Sequence, residues 1–393
     1  MPDSRGQGMS DVLMRLCKVA AEETGKPLAS MSPSTRIIED LDFDSLAILE
    51  FLMAVEDEFG IPPLETAGRD FFVGPLKTLG DLERIVTEAL DAPTPASGKP
   101  FPHGPVESEP AQVPFTHVET NQPRLFEKMG TNDQGFAQFR RKTDGMRCIL
   151  IPECTVTIGI DGARPEQAPA HPVRLSSYLI DAEPVSNAAF VRFLNEIDAP
   201  PRDLYGTDED DKRKENLAIV PRDGLFQCVS EMEDHPVVMV SWFGANAYSL
   251  WANGLDWRDA ELSMLPSEAQ WENAARGATN GWAAKHKAGE TYSRVLPTAP
   301  VTAHIGASEY GLLHMSGNVW EWCRDWYDPH FYSHGDQMDP VCICETGIRS
   351  ERGGSWVGPS HLADVTYRRG RPPGARGRCL GFRCIGTLPG AVE

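Results

Sequence analysis

The sequence predicts an α+β protein of two unequal modules, a small helical bundle over residues 9–91 and a larger domain of short strands over residues 141–390. Three observations predict it. Apolar residues recur at helical spacing through the first module. Residues 92–114 then hold seven prolines among Gly, Ser and Ala, with no apolar periodicity. Beyond Met146 the chain turns to short strand-like runs broken by Gly and Pro, with tryptophans crowded from Trp242 onward. A chain of 393 residues suits two or three domains, and 41% apolar residues suffice for their cores.

Ser10 is placed to cap a first helix that carries Val12, Leu13, Leu16, Val19 and Ala20 on its buried side. Asp44 stands where a second helix needs its N-cap, so Ser45 falls in the first turn. Behind it Leu46, Leu49, Leu52, Met53 and Val55 repeat at helical spacing. A short element near Phe71-Phe72 follows. Thr78, with Asp81 three residues on, makes a capping box for a final helix, with Leu79, Leu82, Ile85, Val86 and Leu90 facing the core. These four elements suit a small bundle. Residues 92–140 read as an extended, semi-rigid Pro-rich linker and lead-in. In the second module helices are expected over roughly 187–196, 242–252 and 267–275.

Charge narrows the function. The net charge is −20, and residues 10–92, with 17 acids against 7 bases, hold half of it. Such a balance argues against binding nucleic acid or an anionic membrane. No apolar run approaches the roughly 20 residues of a membrane span. Nine cysteines in a chain without an N-terminal leader fit reduced thiols in a cytoplasm. Residues 39–58 carry eight acids and no base, a surface for basic partners. A phosphate ester on Ser45 would meet unpaired backbone N–H groups and the positive end of the helix dipole.

The run Asp40-Leu41-Asp42-Phe43-Asp44-Ser45-Leu46, the acidic helix behind it and Glu56-Asp57-Glu58-Phe59-Gly60-Ile61 resemble an acyl carrier protein. The resemblance spans about 80 residues and implies a four-helix carrier bundle. Ser45 would bear 4′-phosphopantetheine, whose thiol holds an acyl or aminoacyl group as a thioester. It also implies partners: a phosphopantetheinyl transferase, loading enzymes and downstream biosynthetic enzymes.

The second module carries an ordered set of phrases. His171-Pro172-Val173-Arg174-Leu175 and His235-Pro236-Val237-Val238-Met239-Val240-Ser241-Trp242 come first. Leu265-Pro266-Ser267-Glu268 and Met315-Ser316-Gly317-Asn318-Val319-Trp320-Glu321-Trp322 follow, then Arg352-Gly353-Gly354-Ser355-Trp356 and Gly381-Phe382-Arg383-Cys384. Together they resemble the formylglycine-generating (sulfatase-modifying) enzyme family, which implies a C-type-lectin-like fold. Gly353-Gly354 is read as a place of close backbone approach or positive φ. Glu321, among tryptophans, needs a partner to offset its desolvation. In the family that partner is calcium, held also by the carbonyls at Gly317 and Val319. The fourth ligand position is His314 here, a poor donor for a hard cation.

The family's oxidases bind copper through cysteines three and eight residues after the serine that matches Ser355. Those positions are Gly358 and Ala363, which cannot ligate, so copper and formylglycine-generating activity are not expected. Ser355, His361 and Asp364 remain as candidate catalytic groups, with Trp320 and Trp356 as pocket walls and Tyr367, Arg368 and Arg369 near by. A His three residues from an Asp suits acid–base work. His330, His334, Cys342 and Cys344 have spacings that fit a metal poorly. The expected function is a carrier whose fused domain modifies its tethered intermediate, oxidatively by family habit, in polyketide, fatty-acyl or nonribosomal-type assembly. The alternative is a non-catalytic binding or docking module.

Overall fold

A computed structural model describes residues 10–24, 26–37, 40, 41, 51, 52, 55, 59, 77–91, 125–162, 164–197, 204–206, 217–276, 298–334, 337–356 and 360–388. The chain divides into two compact units, Met1–Gln112 and Val113–Glu393.

In the first unit, helix α1 spans Asp11–Thr24. Ser10 Oγ accepts the Leu13 N–H at 3.0 Å, the cap its position predicts. Leu13, Leu16, Cys17 and Ala20 line the buried stripe. Helix α2, Leu79–Asp91, opens on the expected reciprocal cap. The Asp81 N–H donates to Thr78 Oγ1 (3.2 Å), and Asp81 Oδ2 accepts the Thr78 N–H (2.9 Å). Leu79, Leu82 and Val86 are buried, whereas Leu90, expected in the core, is exposed because the stripe ends one turn earlier. Phe51, Leu52, Val55 and Phe59 join the same core. Ser45, most of the acidic run and Phe71-Phe72 lie outside the described residues. Asp40, at the head of that run, accepts from the Arg36 N–H and guanidinium (2.9 and 2.6 Å), which hold its carboxyl down to about 2.

The second unit builds three sheets and a hairpin. Strands β1 (Phe126–Thr131), β2 (Ala137–Arg141), β3 (Arg147–Ile151), β6 (Tyr178–Asp181) and β14 (Ile385–Gly386) pair antiparallel in that order. The chain's last described strand thus closes a sheet begun by its first. Strands β4 (Cys154–Ile158), β5 (His171–Leu175) and β10 (Gln337–Met338) form a second sheet, ordered β10-β5-β4. The third is ordered β12-β11-β9-β13, from β9 (Trp320–Trp326), β11 (Arg349–Arg352), β12 (Arg369–Arg371) and β13 (Leu380–Gly381). Strands β7 (Ile219–Arg222) and β8 (Leu225–Cys228) are the hairpin.

Helices α3 (Asn187–Glu196), α4 (Trp242–Ala252) and α5 (Glu268–Ala274) fall where the sequence places them. Each has a serine N-cap, and Ser267 with Gln270 completes a capping box on α5. Strand β1 and all but the last residue of β2 lie in the lead-in expected before residue 141, and they hydrogen-bond into the first sheet. Strand β1 is an edge strand exposed at every position after Phe126, so it has no apolar alternation to read.

Strand β9 is buried on both faces, and that positions the site. Trp320 and Trp322 share a core cluster with α4, and Trp322 Nε1 donates to Val240 O, just before that helix, at 3.2 Å. Glu321 turns towards α5, where Trp271 Nε1 donates to its Oε2 at 2.8 Å.

Candidate functional site

Glu321 and Arg383 are both fully buried and form a bidentate pair: Nε donates to Oε2 at 2.6 Å and Nη2 to Oε1 at 2.7 Å. The remaining guanidinium hydrogens reach the carbonyls of Leu313 (2.9 Å) and Asp181 (3.0 Å). Trp271 supplies a third donor to the carboxylate, so every charged atom of the pair is engaged.

The partner of Glu321 is therefore Arg383, where the resemblance implies calcium. Two of the other ligand positions carry bonds of their own. His314, at φ +60, donates through Nε2 to Val301 O (3.1 Å) and accepts at Nδ1 from Asn318 Nδ2 (3.3 Å). The Gly317 carbonyl accepts the Val319 N–H at 3.1 Å. A calcium ion needs six to eight oxygen ligands, and a guanidinium against the carboxylate repels it. With His314 hydrogen-bonded at both ring nitrogens and Glu321 paired to Arg383, these two positions do not fit that ion.

Burial, reinforced by Arg383, pushes the His314 imidazole down to about 3, so it stays neutral in the fold. Burial lowers His235 too, whose Nδ1 meets Thr298 Oγ1 at 2.9 Å. The unfolded chain takes these protons near pH 6.5 while the folded chain refuses them. Stability is thus full above about pH 6.5 and declines as pH falls towards 3. A His314→Gln variant should show a shallower acid decline in melting temperature than the parent. Parallel acid limbs would exclude this origin.

The segment after β11 is built around two glycines. Gly353 (φ +96) leaves no room for a Cβ, which would come 2.9 Å from the Trp271 ring. At Gly354 (φ +67) a Cβ would stand 2.7 Å from Ala363 Cα. Both the close approach and the positive φ read from the sequence are present. Ser355 is buried behind them. The Trp356 N–H donates to Asn318 O at 3.0 Å, and its ring packs on Ala299 and Ile305. Trp320 lies 6.0 Å from Tyr367, centroid to centroid. Ala363 is buried, and Ser316 Oγ donates to its carbonyl at 2.7 Å.

His361 falls in a short 3₁₀ turn, Ser360–Ala363; its side chain and residues 357–359, including Gly358, lie outside the described residues. Asp364 is exposed, and its Oδ1 accepts from the Thr366 N–H and Oγ1 (both 2.9 Å). These bonds close its own turn, while the His361 side chain lies outside the described residues. Arg368 and Arg369 part company. Arg368 is buried in a bidentate pair with Glu268 (2.7 and 2.8 Å), beside Arg352. Arg369 stands with its guanidinium carbon 5.5 Å from the Trp320 ring centroid and pairs with buried Glu351 (3.2 Å). Glu351, Arg371 and Arg164 are the site residues that sequence reasoning missed. Among the described residues no three His, Cys, Asp or Glu side chains gather as a metal site, and no helix is long and apolar enough to cross a membrane.

The chain belongs to the family of the sulfatase-modifying factor enzyme 1-like domain, whose model matches residues 134–388. A second model, the phosphopantetheine attachment site, matches residues 15–86, so a carrier domain precedes it in the same chain. Among characterised proteins, the serine/threonine-protein kinase Pkn1 of Chlamydia trachomatis is 33% identical over 237 residues, covering 57% of this chain and 35% of the kinase. This chain thus spans about a third of that relative's length. The formylglycine-generating enzyme of Thermomonospora curvata is 31% identical over 297 residues, covering 60% of this chain and 92% of the enzyme. Among solved structures, PvdO from Pseudomonas aeruginosa is 20% identical, with a TM-score of 0.47, over 63% of this chain and 97% of its own.

Proposed function

We propose that Ser45 carries the 4′-phosphopantetheine arm that an attachment domain implies, and that the fused domain, C-type-lectin-like in its family, acts on the acyl or aminoacyl cargo of that arm. The observation that carries this reading is the union in one chain of an attachment domain and a domain of this family. Tethering raises the effective substrate concentration to the millimolar range, enough for a weakly binding pocket. A phosphopantetheinyl transferase, loading enzymes and natural-product biosynthetic enzymes in the cytoplasm are the partners this implies.

The chemistry is not that of a formylglycine-generating oxidase. Ala363 and Gly358 offer no thiolate, and the Ala363 carbonyl is tied to Ser316. The groups left for proton transfer to the cargo are the Ser355 hydroxyl and the His361 imidazole, beside the walls made by Trp320 and Trp356. The commitment of Asp364 to its own turn favours a second reading, in which the domain presents the cargo without changing it.

Mass analysis of the loaded full chain separates the two. In the catalytic reading, the mass of the tethered cargo shifts on incubation, and Ser355→Ala with His361→Ala leaves it unshifted while loading is unaffected. An unshifted parent chain, under air and with reductant, assigns the presenting role.

A further inference from the structure

We propose that Asp325 is a proton-operated latch: as a neutral acid it holds the strap 339–348 against strand β9, and on ionising it lets the strap go. The second unit buries eight carboxylates among the described residues. Seven of them, from Asp144 to Glu351, have an arginine nitrogen within ion-pair distance. Asp325, 1% exposed, has no such cation among the described residues. It accepts two backbone N–H groups instead, from Cys342 at 2.9 Å and from Glu268 at 3.0 Å. One carboxyl thus joins β9, the start of α5 and the strap.

A charge buried without a partner is so costly that the group gives up the charge instead. A second carboxylate raises that cost here: Glu268 keeps its own charge through Arg368 and Arg352. Two cations face Asp325 from farther off. Arg324 donates to Gln270 Oε1 at 3.3 Å, and the Arg349 guanidinium carbon lies 3.8 and 3.6 Å from the ring centroids of Trp242 and Trp326. Burial keeps the neighbouring Cys323 and Cys342 thiols uncharged. Burial first, then Glu268, pushes the Asp325 carboxyl up to about 7, with Arg324 pulling the other way. Once the strap opens to water, the carboxyl returns towards its ordinary value of about 3.9. Opening therefore releases a proton between about pH 4 and 7, and the closed strap loses ground as pH rises through that window. Above it both states are ionised and the loss is complete. The strap is fastened at its ends, Asp339 to Ser176 (2.8 and 2.7 Å) and Ile348 O to the Tyr327 N–H (2.9 Å). Between them Ile343 and Cys344 are exposed, and the chain then runs into β11 and on to Ser355.

Hydrogen exchange of the full chain, read by mass on peptides covering residues 339–348, tests the latch without any appeal to cargo turnover. After correction for intrinsic exchange, protection of the strap should fall by about tenfold per pH unit between pH 5 and 7, then level off, as one released proton requires. Asp325→Asn has no proton to release, so its protection should stay constant over that range, whatever its level. A side chain that is merely structural would change the level of protection and leave the slope. His314 and His235 act in the opposite sense below about pH 6.5 and are common to both chains, so the difference in slope belongs to Asp325. If Asp325→Asn does not fold by circular dichroism, Asp325→Ser, smaller and also neutral, carries the comparison. Protection independent of pH in the parent, or the same slope in a folded neutral variant, overturns the proposal.

Discussion

Incubated with coenzyme A and a broad-specificity phosphopantetheinyl transferase, the full chain is expected to gain one phosphopantetheine increment, and Ser45→Ala to gain none. The effect is all or none because the transfer forms a bond between the serine oxygen and the phosphate, and alanine has no oxygen to offer. The neighbourhood makes this serine the acceptor. It follows Asp44 at a predicted helix start, where free N–H groups and the helix dipole favour a phosphate ester. Transfer to the Ser45→Ala chain, read by intact mass, would place the arm on another residue. Equal circular dichroism of the two chains ensures that the comparison reads chemistry and not folding.

The elements legible in the sequence are those whose cause is local. The caps at Ser10 and Thr78 need only residues within one turn, and both helices begin where those residues stand. Helices α3 and α4 are legible for the same reason, each opened by a serine and filled with apolar side chains. Strand β1 is not legible, since an exposed edge strand shows neither periodicity nor a buried face. The site is divided in the same way. Gly353 and Gly354 announce a crowded backbone, and the structure has one. Arg368 and Arg369, adjacent in sequence, serve opposite purposes. One neutralises Glu268 in the core and the other stands over Trp320. Only the course of β12 decides which arginine faces which way. The partner of Glu321 is likewise invisible to local reasoning, because Arg383 lies 62 residues away.

That pair carries the largest stability effect expected in the second unit. Glu321→Gln keeps the shape of the side chain and its bond from Trp271 but leaves the Arg383 guanidinium buried without a counter-charge. Removing one partner of a buried ion pair costs about 3–5 kcal/mol. For a domain of this size that lowers the melting temperature by on the order of 10 °C. Arg383→Met should cost a similar amount through the orphaned carboxylate. The double variant Glu321→Leu with Arg383→Met should lose less than either change alone, since no uncompensated charge remains. The same measurement decides between arginine and calcium as the partner. With Arg383 in that role, chelator leaves the parent's melting temperature unmoved and added calcium restores nothing to Glu321→Gln. Stabilisation of the parent by several degrees in calcium, reversed by chelation, would show that the carboxylate serves a cation and that Arg383 only stands beside it.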